Sequence, residues 1–315
     1  MPLRCYKKTR IGKDRQKVIS LVNKLIAEYR AQGLTELTAR QVYYQFIARD
    51  WFPDDWIDEA YNKSHGLSGN TKNTQKNYKR LCETILIGRL NGLIDWEAIS
   101  DMTRNLRSLP SWGSPASIVA ACATQFRHDA WDDQPYHVEV WIEKDALVGV
   151  IEGVCNELRV PHFSCRGYTS ASELWSAAQR FIAAGKPGII FHLGDHDPSG
   201  IDMTRDIQDK MDLFGAKVDV RRIGLTREQI DEYEPPPNPC KITDSRATGY
   251  IAQHGRDSWE LDALDPATLT ALVRDNIMPI RNERRWAAVM AREKAARQNL
   301  AGVAARWDDV VAFIS

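Results

Sequence analysis

The stretch FHLGDHDPSG, residues 191–200, places Asp195 and Asp197 on either side of a histidine and then breaks the chain with proline, serine and glycine. The run GIIFHL, which leads into the aspartates, is mostly apolar and is typical of a buried strand. Two carboxylates at the end of such a strand either hold a metal ion or cap the turn that leads into the next helix. The rest of the sequence bears on this choice.

Strand and helix patterns alternate four times after residue 136. The predicted strands are YHVEVWIEK, VPHFSCRG, KPGIIFHLGDHD and AKVDVRRIGL, and each is followed by a helical pattern. Such alternation is typical of a parallel sheet with helices on its faces. We therefore predict an α/β fold for this part of the chain, with a ligand site outside the carboxyl ends of the strands.

Three carboxylates are predicted to meet at that edge of the sheet. Glu143 ends the strand VEVWIE, and Asp195 and Asp197 end the strand IIFHLGD. If the two strands are neighbours, the three negative charges lie close together, and a divalent cation would relieve their repulsion. Mg²⁺ prefers a few carboxylates together with waters and phosphate oxygens, a combination that suits chemistry on nucleic acid backbones.

Two other interpretations of the same stretch compete with a magnesium site. The segment DHDPSGIDMTRD resembles a calcium loop with Asp206 at its twelfth position, but such a loop follows a helix and this one follows a strand. A plain turn, with aspartates that cap the following helix, stays open. His196 should point away from its two neighbours in extended backbone, so we do not predict it as a ligand.

The first hundred residues have helical patterns instead. DRQKVISLVNKLIAEYRAQG carries apolar residues at helical spacing and ends at Gly33, which could cap the helix. Thr38 is predicted to begin a second helix that stops before Pro53, and TKNTQKNYKRLCETILIGRL forms a third. Short helices followed by a turn resemble a winged-helix or helix-turn-helix unit, which predicts DNA contacts.

A basic face is predicted along the third helix. Lysines and an arginine recur there with asparagine and threonine between them, which suits contacts to phosphates. The predicted DNA-binding residues are Lys72, Lys76, Lys79 and Arg80. The alternative is a solvated helix face without a ligand.

The charge of the chain is unevenly distributed, although its net charge is zero. Residues 1–130 carry 20 Lys and Arg against 13 Asp and Glu, whereas residues 131–270 carry 14 against 24. The basic part could face a polyanion and the acidic part could hold cations. No apolar run has the length of a membrane span, and the basic start lacks the apolar core of a signal peptide, so we expect a cytoplasmic protein without a membrane partner.

We divide the chain into four parts on these patterns. Residues 1–115 form a winged-helix-like domain, 116–135 a linker with proline and glycine, 136–265 the α/β domain and 266–315 a helical C-terminal extension. The six cysteines are scattered without a CxxC pair, which argues against a zinc site or a disulfide framework.

The sequence forms WIEKDAL, LGDHDPSG and WELDAL resemble the Toprim domain of the topoisomerase VI A-subunit group, which includes the meiotic double-strand-break transesterases. The resemblance implies a Rossmann-like Toprim fold with Mg²⁺, or alternatively Mn²⁺, bound by Glu143, Asp195 and Asp197. Glu260, in WELDAL, is similar to a recurrent acidic position of the group.

The same family carries an arginine and, four positions later, a catalytic tyrosine on a winged-helix domain. RQVYY supplies Arg40 and Tyr44, which share one face of a helix, while Tyr43 points elsewhere into the core. The resemblance implies that Tyr44 attacks DNA to form a 5′-phosphotyrosyl link and a free 3′ hydroxyl, with a cation such as Arg40 favouring the phenolate.

The resemblance also implies partners, and it has gaps. Family members act on double-stranded DNA as homodimers, in which the tyrosine of one chain meets the metal of the other, and a separate ATPase of the B type can complete the enzyme. Gln41 stands where an acidic residue is frequent, the residues after 266 have no assignable counterpart, and the sequence has no GxxxxGK[ST] motif. The chain is similar in compactness to stand-alone A-like proteins of mobile genetic elements.

Three functions are therefore expected from the sequence. The first is a magnesium-dependent DNA-cleaving transesterase that uses Tyr44, associated with the nucleoid. The second is a Toprim nuclease that activates water and leaves Tyr44 structural. The third is a DNA-binding partner without catalytic activity.

Overall fold

The structure, a computed structural model, describes residues 3–32, 36–99, 109, 111–167 and 169–314. Within the described residues up to 99, the chain folds into helices and has no strand beyond isolated bridges. These helices are α1 (Lys13–Ala31), α2 (Ala39–Ala48), α3 (Glu59–Ser64) and α4 (Gln75–Leu90). The predicted helical patterns are confirmed, whereas the specific winged-helix arrangement stays a prediction; Gly33, the predicted cap of α1, lies outside the described residues.

Helix α2, which carries Arg40 and Tyr44, begins at a complete capping box. The Thr38 hydroxyl accepts a hydrogen bond from the Gln41 backbone at 3.2 Å, and the Gln41 side chain accepts one from the Thr38 backbone at 2.7 Å. These bonds satisfy two amides that a helix start otherwise leaves without partners. Gln41 therefore has a structural role here, at the position where the resembling family often has an acidic residue.

The second half of the chain is an α/β unit built on four parallel strands. The strands are β1 (His137–Ile142), β2 (His162–Ser164), β3 (Gly188–Leu193) and β4 (Val218–Gly224). The helices of this half are α5 (Pro115–Gln125), α6 (Val148–Glu157), α7 (Ala171–Ala183), α8 (Pro198–Leu213), α9 (Arg227–Tyr233), α10 (Ala247–His254), α11 (Pro266–Ile277), α12 (Glu283–Ala305) and α13 (Trp307–Ile314). The predicted alternation of strands and helices is confirmed.

In the strand order β2–β1–β3–β4, the direction in which successive strands are added to the sheet reverses between β1 and β3. Helix α6 leaves β1 on one face of the sheet, where it packs with α11, and α7 and α8 cover the other face. In an open parallel sheet, such a switch point leaves a crevice at the carboxyl ends of the two strands. The sheet therefore puts its crevice between the ends of the strands that precede Glu143 and Asp195.

The predicted linker and C-terminal extension both pack on the α/β unit. Leu269 and Val273 of α11 are buried in the same core as the inner residues of β1 and β3. Helix α5, within the predicted boundary region, packs along α12, and Trp131 donates from its indole to the backbone of Leu158 at 2.8 Å. The core thus extends past both ends of the predicted domain. In the described part of the chain, no helix combines the length and apolarity that a membrane crossing demands.

The run EPPPNP ends in β5 (Asn238–Pro239), which forms a small antiparallel pair with β6 (Asp257–Ser258). Residues 257–263, which begin with β6, are called here the closing segment. Ala263 of the closing segment is buried in the core of the helical half, while Leu261 is buried in the core of the α/β unit. The closing segment therefore joins the two halves by packing into both cores.

The buried carboxylate of Glu139 on β1 permits a stability prediction. It accepts two hydrogen bonds from the Arg180 guanidinium, at 3.0 and 2.9 Å, and one from the Trp141 indole at 2.9 Å. We expect Glu139→Gln to lower the free energy of unfolding by about 2–3 kcal/mol, because Arg180 then loses its buried partner. Chemical denaturation at pH 7 measures the change. Glu157→Gln is the matched control; the Glu157–Arg274 pair is similarly bidentate but exposed, and should cost less than about 1 kcal/mol.

The pH dependence of unfolding gives this prediction a second readout. Burial alone would raise the pKa of Glu139, but bonds from His137, Arg180 and Trp141 outweigh it and lower that pKa to about 2. A carboxyl with a depressed folded-state pKa stabilises the fold above its unfolded pKa, about 4.3, and loses that contribution as pH falls towards 2. The stability of the wild type should thus fall more steeply between pH 4 and 2 than that of Glu139→Gln. Equal slopes would contradict the assignment.

Candidate active site

The carboxylates predicted at the strand ends do meet at the crevice between β1 and β3. The backbone of Glu143 donates to the Leu193 carbonyl at 2.8 Å, which extends the pairing of the two strands by one residue. The backbone of Asp195 donates in turn to Oε2 of Glu143 at 2.8 Å. Parallel pairing of neighbouring strands thus brings Glu143 against Asp195, as the sequence predicts.

Asp197 lies at the start of α8, where its Oδ1 accepts a hydrogen bond from the Gly200 backbone at 2.7 Å. The helix-capping interpretation is therefore correct for Asp197, and capping leaves its second carboxylate oxygen available. Gly200 fits only as glycine, because a Cβ there would lie 2.2 Å from the Asp195 carbonyl oxygen. The missing side chain lets the first turn of α8 approach the acidic residues closely.

The closing segment completes the crevice from its other side. Trp259 and His196 exchange backbone hydrogen bonds at 2.8 and 3.0 Å, and the Leu261 backbone donates to Oδ1 of Asp195 at 2.7 Å. These bonds bring Glu260 and Asp262 to the edge where β3 ends. The His196 ring takes no part in the cluster; its Nδ1 pairs with the Tyr250 hydroxyl at 2.8 Å, and burial lowers its pKa to about 4.

A lysine that was not predicted lies within the acidic cluster. The Lys144 ammonium is 2.7 Å from Asp262 Oδ1, 3.0 Å from Glu260 Oε2 and 3.1 Å from Asp195 Oδ1. Although burial alone would lower the pKa of this ammonium, the three carboxylates raise it well above its usual value. Lys144 is thus a charged internal partner of the cluster. The available signal was its place directly after Glu143 in WIEKDAL.

Arg222, a second unpredicted cation, holds the floor of the crevice. Its guanidinium donates to the carbonyl oxygens of Asp195 at 2.6 Å, Gly194 at 2.8 Å and Gly200 at 2.9 Å. Burial lowers its pKa to about 10, although Glu143, Asp195 and Asp197 raise it. These bonds fix the backbone that carries the two aspartates.

The electrostatics of the crevice favour an added cation. Burial, together with repulsion from Glu143, raises the pKa of Asp195 to about 7 although Lys144 lowers it. Burial also raises the pKa of Glu143, to which Asp197 contributes by repulsion. A divalent cation would offset both burial and repulsion, because it favours the ionised carboxylates.

Tyr44 lies at the edge of the same cluster, within one chain. Its side chain is 1% exposed, and its hydroxyl accepts a hydrogen bond from the Asn238 amide at 3.2 Å. The same amide donates to Glu260 Oε1 at 3.3 Å, so it lies between the Tyr44 hydroxyl and the Glu260 carboxylate. Burial first, and then Glu260 and Asp262, raise the pKa of Tyr44. The phenol is therefore protonated in this arrangement. Asn238, within PPPNP, had no sequence signal for this contact.

Arg40, on the same helix as Tyr44, extends towards the closing segment. Its Nε is 3.9 Å from Asp262 Oδ2, and its guanidinium lies over the Tyr78 ring at 4.5 Å from the ring centroid. Burial would lower its pKa, but Glu260, Asp262 and Tyr44 outweigh it and raise that pKa. Tyr43 points away from the crevice, as predicted, and its hydroxyl donates to Asn73 and to the Thr74 carbonyl, both at 3.0 Å.

The predicted basic face is largely neutralised by aspartates. Lys72 precedes α4 instead of lying on it, and its ammonium contacts Asp50 and Asp54 at 2.8 Å each. The other two pairs are Lys76 with Asp58 and Arg80 with Asp55. Lys79 is exposed and forms no ion pair with any described residue. The positive charge that this face offers to a polyanion is therefore smaller than the sequence suggests. Of the four predicted DNA-binding residues, Lys79 is the strongest candidate for a phosphate contact.

Lys79→Gln should weaken binding to duplex DNA and reduce the slope of log affinity against log salt by about one, because one phosphate contact is lost. Fluorescence anisotropy with a labelled duplex at several salt concentrations measures this slope. Lys217→Gln is the control, since Lys217 is also exposed but lies before β4, at the amino end of the sheet. If both variants change the slope equally, the α4 face is not the DNA contact.

The residues at the crevice are of the chemical type that binds Mg²⁺. Glu143, Asp195 and Asp197 offer hard oxygen ligands, and one oxygen of each accepts no hydrogen bond from a described residue. In the part of the chain that the structure describes, however, no group of three or more His, Cys, Asp or Glu is arranged to hold a metal ion as it stands. A magnesium site at this edge is therefore a proposal. Comparison with known proteins does not extend it, since no family model and no curated protein matches the chain.

Proposed function

We propose that the chain is a DNA-cleaving transesterase that uses Tyr44 as its nucleophile. The observation that carries this proposal is the Asn238 amide, which joins the Tyr44 hydroxyl to Glu260 at the edge of a crevice lined by Glu143 and Asp195. Residues that are distant in sequence thus combine a nucleophile with a concentrated set of oxygen ligands. This combination is the one that phosphoryl transfer at a DNA backbone requires.

The residues have separate roles in the proposed reaction. The Tyr44 oxygen attacks a backbone phosphorus and forms a phosphotyrosyl bond; the phosphorus–O3′ bond breaks, and O3′ takes up a proton from solvent as the 3′ hydroxyl. Glu260 would accept the phenol proton, since the Asn238 amide holds its carboxylate near the hydroxyl. Arg40, on the same helix as Tyr44, offers a positive charge that favours the phenolate.

The crevice supplies the remaining chemistry through a bound cation. Mg²⁺, or Mn²⁺, would be held by Glu143, Asp195 and Asp197 and would stabilise the charge that builds on the phosphate. Arg222 holds the backbone of these residues in place through bonds to Gly194 and Asp195. Glu260 supports the cluster from the closing segment.

The burial of Tyr44 favours the hydrolytic nuclease as a second candidate. A phenol that is 1% exposed cannot reach a phosphate unless α2 and the closing segment separate. For the transesterase, the arrangement described here is a resting state that opens for DNA. For the nuclease, Tyr44 stays in place and an activated water attacks instead, which leaves no protein on the DNA.

The partners follow from the proposed reaction. The substrate is double-stranded DNA, and a homodimer would cut both strands, one at the crevice of each chain. A separate ATPase of the B type would be needed to pass one duplex through another. Association with the nucleoid in the cytoplasm is part of the same proposal.

One assay separates the candidates. Supercoiled plasmid is incubated with the protein and Mg²⁺ or Mn²⁺, denatured with detergent, and divided into samples with and without protease. The transesterase should leave protein on the 5′ ends, so linear DNA enters the gel fully only after protease. The nuclease should leave free ends in both samples. No cleavage with either metal, together with intact DNA binding, would support the non-catalytic binding partner instead.

A further inference from the structure

The ammonium of Lys144 occupies a position that resembles a cation site. It lies within 3.1 Å of one oxygen each from Asp195, Glu260 and Asp262, and its side chain is 22% exposed. An ammonium group has three donors, so it can serve the three carboxylates at once. Lys144 donates hydrogen bonds to Glu260 and Asp262 and forms an ion pair with Asp195.

The elements around Lys144 hold it in this position. Asp262 is almost completely buried, and Arg40 approaches its second oxygen at 3.9 Å. Asp195 is fixed through Oδ1 by the Leu261 backbone, and Glu260 is fixed through Oε1 by Asn238. The three carboxylates are thus preorganised around a point that already carries a positive charge.

We infer that Lys144 acts as a permanent cation between Asp195, Glu260 and Asp262, so that the chain takes one divalent cation and not two. Two-metal sites place their ions about 3.5–4 Å apart and share a carboxylate between them. Asp195 could be such a shared ligand, but the lysine holds the second position. The inference rests on the magnesium site of the proposed function, at Glu143, Asp195 and Asp197.

A neutral side chain at position 144 should convert this position into a metal site. Lys144→Gln would leave three clustered carboxylates without this cation, and their repulsion would favour a divalent ion with oxygen ligands. Lys144→Arg keeps the charge and should preserve the wild-type stoichiometry. The double variant Lys144→Gln with Glu260→Gln removes one ligand and should lose the new site.

Titration of the intact protein with Mn²⁺, followed by electron paramagnetic resonance of the free ion and by calorimetry, gives the stoichiometry. We expect one Mn²⁺ per chain in the wild type and in Lys144→Arg, two in Lys144→Gln and one in the double variant. Two ions in the wild type, or an unchanged count in a folded Lys144→Gln, would overturn the inference. If Lys144→Gln is unfolded without metal, the number of Mn²⁺ ions bound by the wild type still tests the inference. Refolding of Lys144→Gln on addition of Mn²⁺ would support the inference.

This experiment can fail independently of the proposed function. A wild type that binds one Mn²⁺ but does not cut DNA would contradict the transesterase and leave the inference intact. A wild type that binds no Mn²⁺, with one ion in Lys144→Gln, would contradict the proposed magnesium site and still support the role of Lys144.

Discussion

Replacement of Tyr44 by phenylalanine is expected to abolish the covalent adduct between protein and DNA, with a loss of at least about 1,000-fold in the rate of its formation. The variant lacks only the hydroxyl oxygen and the hydrogen bond that it accepts from Asn238. The ring remains in the core of the helical half, so the fold should lose about 1 kcal/mol or less. Adduct is measured on radiolabelled DNA after denaturation in detergent, and duplex binding is measured separately.

Tyr43→Phe is a matched control for this experiment. Tyr43 is the neighbour of Tyr44, is equally buried at 1% exposure and also loses a hydroxyl that donates hydrogen bonds, to Asn73 and Thr74. It should keep the adduct at near wild-type levels, because its hydroxyl points away from the crevice. Clean cuts with free ends in Tyr44→Phe would identify the hydrolytic nuclease, and equal losses in both variants would show that only packing was disturbed.

The proposed reaction requires α2 to separate from the closing segment, so the raised pKa of buried Tyr44 does not count against the proposal. The pKa is raised by burial first and by Glu260 and Asp262 second. Burial ends when α2 separates from the closing segment, and the repulsion weakens with distance. The described arrangement therefore keeps the nucleophile protonated until the two halves separate.

The sequence predicts the sheet well because local patterns determine it. Alternating strands and helices require parallel strands, and parallel strands collect their carboxyl ends at one edge. Once β1 and β3 are neighbours, Glu143 and Asp195 must approach each other, and the bond between them at 2.8 Å follows from that register. The cap at Thr38 and the face shared by Arg40 and Tyr44 are local in the same sense.

The rest of the site depends on contacts between distant parts of the chain. Asn238 reaches Tyr44 across 194 residues, and Lys144 reaches Asp262 across 118. No periodicity encodes such contacts, because they depend on where the closing segment packs. The pairing of Lys76 and Arg80 with aspartates was missed for the same reason, since the partners Asp58 and Asp55 lie in a preceding loop. Sequence patterns thus identified the sheet edge but not the charges that balance it.

Replacement of Asp195 by asparagine is expected to have the other large effect, a loss of about 1,000-fold or more in DNA cleavage with duplex affinity nearly unchanged. Asp195 contacts the Leu261 backbone and Lys144 through one oxygen, and its second oxygen is free of donors among the described residues. Asparagine keeps the shape and one acceptor but removes the charge that a metal ion needs. Cleavage of supercoiled plasmid and anisotropy of a labelled duplex measure the two quantities.

The stability of Asp195→Asn distinguishes a functional loss from a structural one. The pKa of Asp195 is raised to about 7, mainly by burial, above the unfolded value of about 3.9. The stabilising contribution of a group with a raised pKa is present below pH 4 and is lost as pH rises through 7. At pH 8 without metal, the ionised carboxylate therefore opposes folding, and the uncharged asparagine should be as stable as the wild type or more so.

Added Mg²⁺ should make the wild type more stable than Asp195→Asn. The cation favours the ionised carboxylate, so it should raise the melting temperature of the wild type and leave Asp195→Asn unchanged. Asp209→Asn is the control, because Asp209 is an exposed residue of α8 that pairs with Arg205 and lies outside the crevice. It should cut DNA and respond to Mg²⁺ as the wild type does. A wild type whose melting temperature ignores Mg²⁺ at concentrations that support cleavage would exclude Asp195 as a ligand, whatever the activity of the variant.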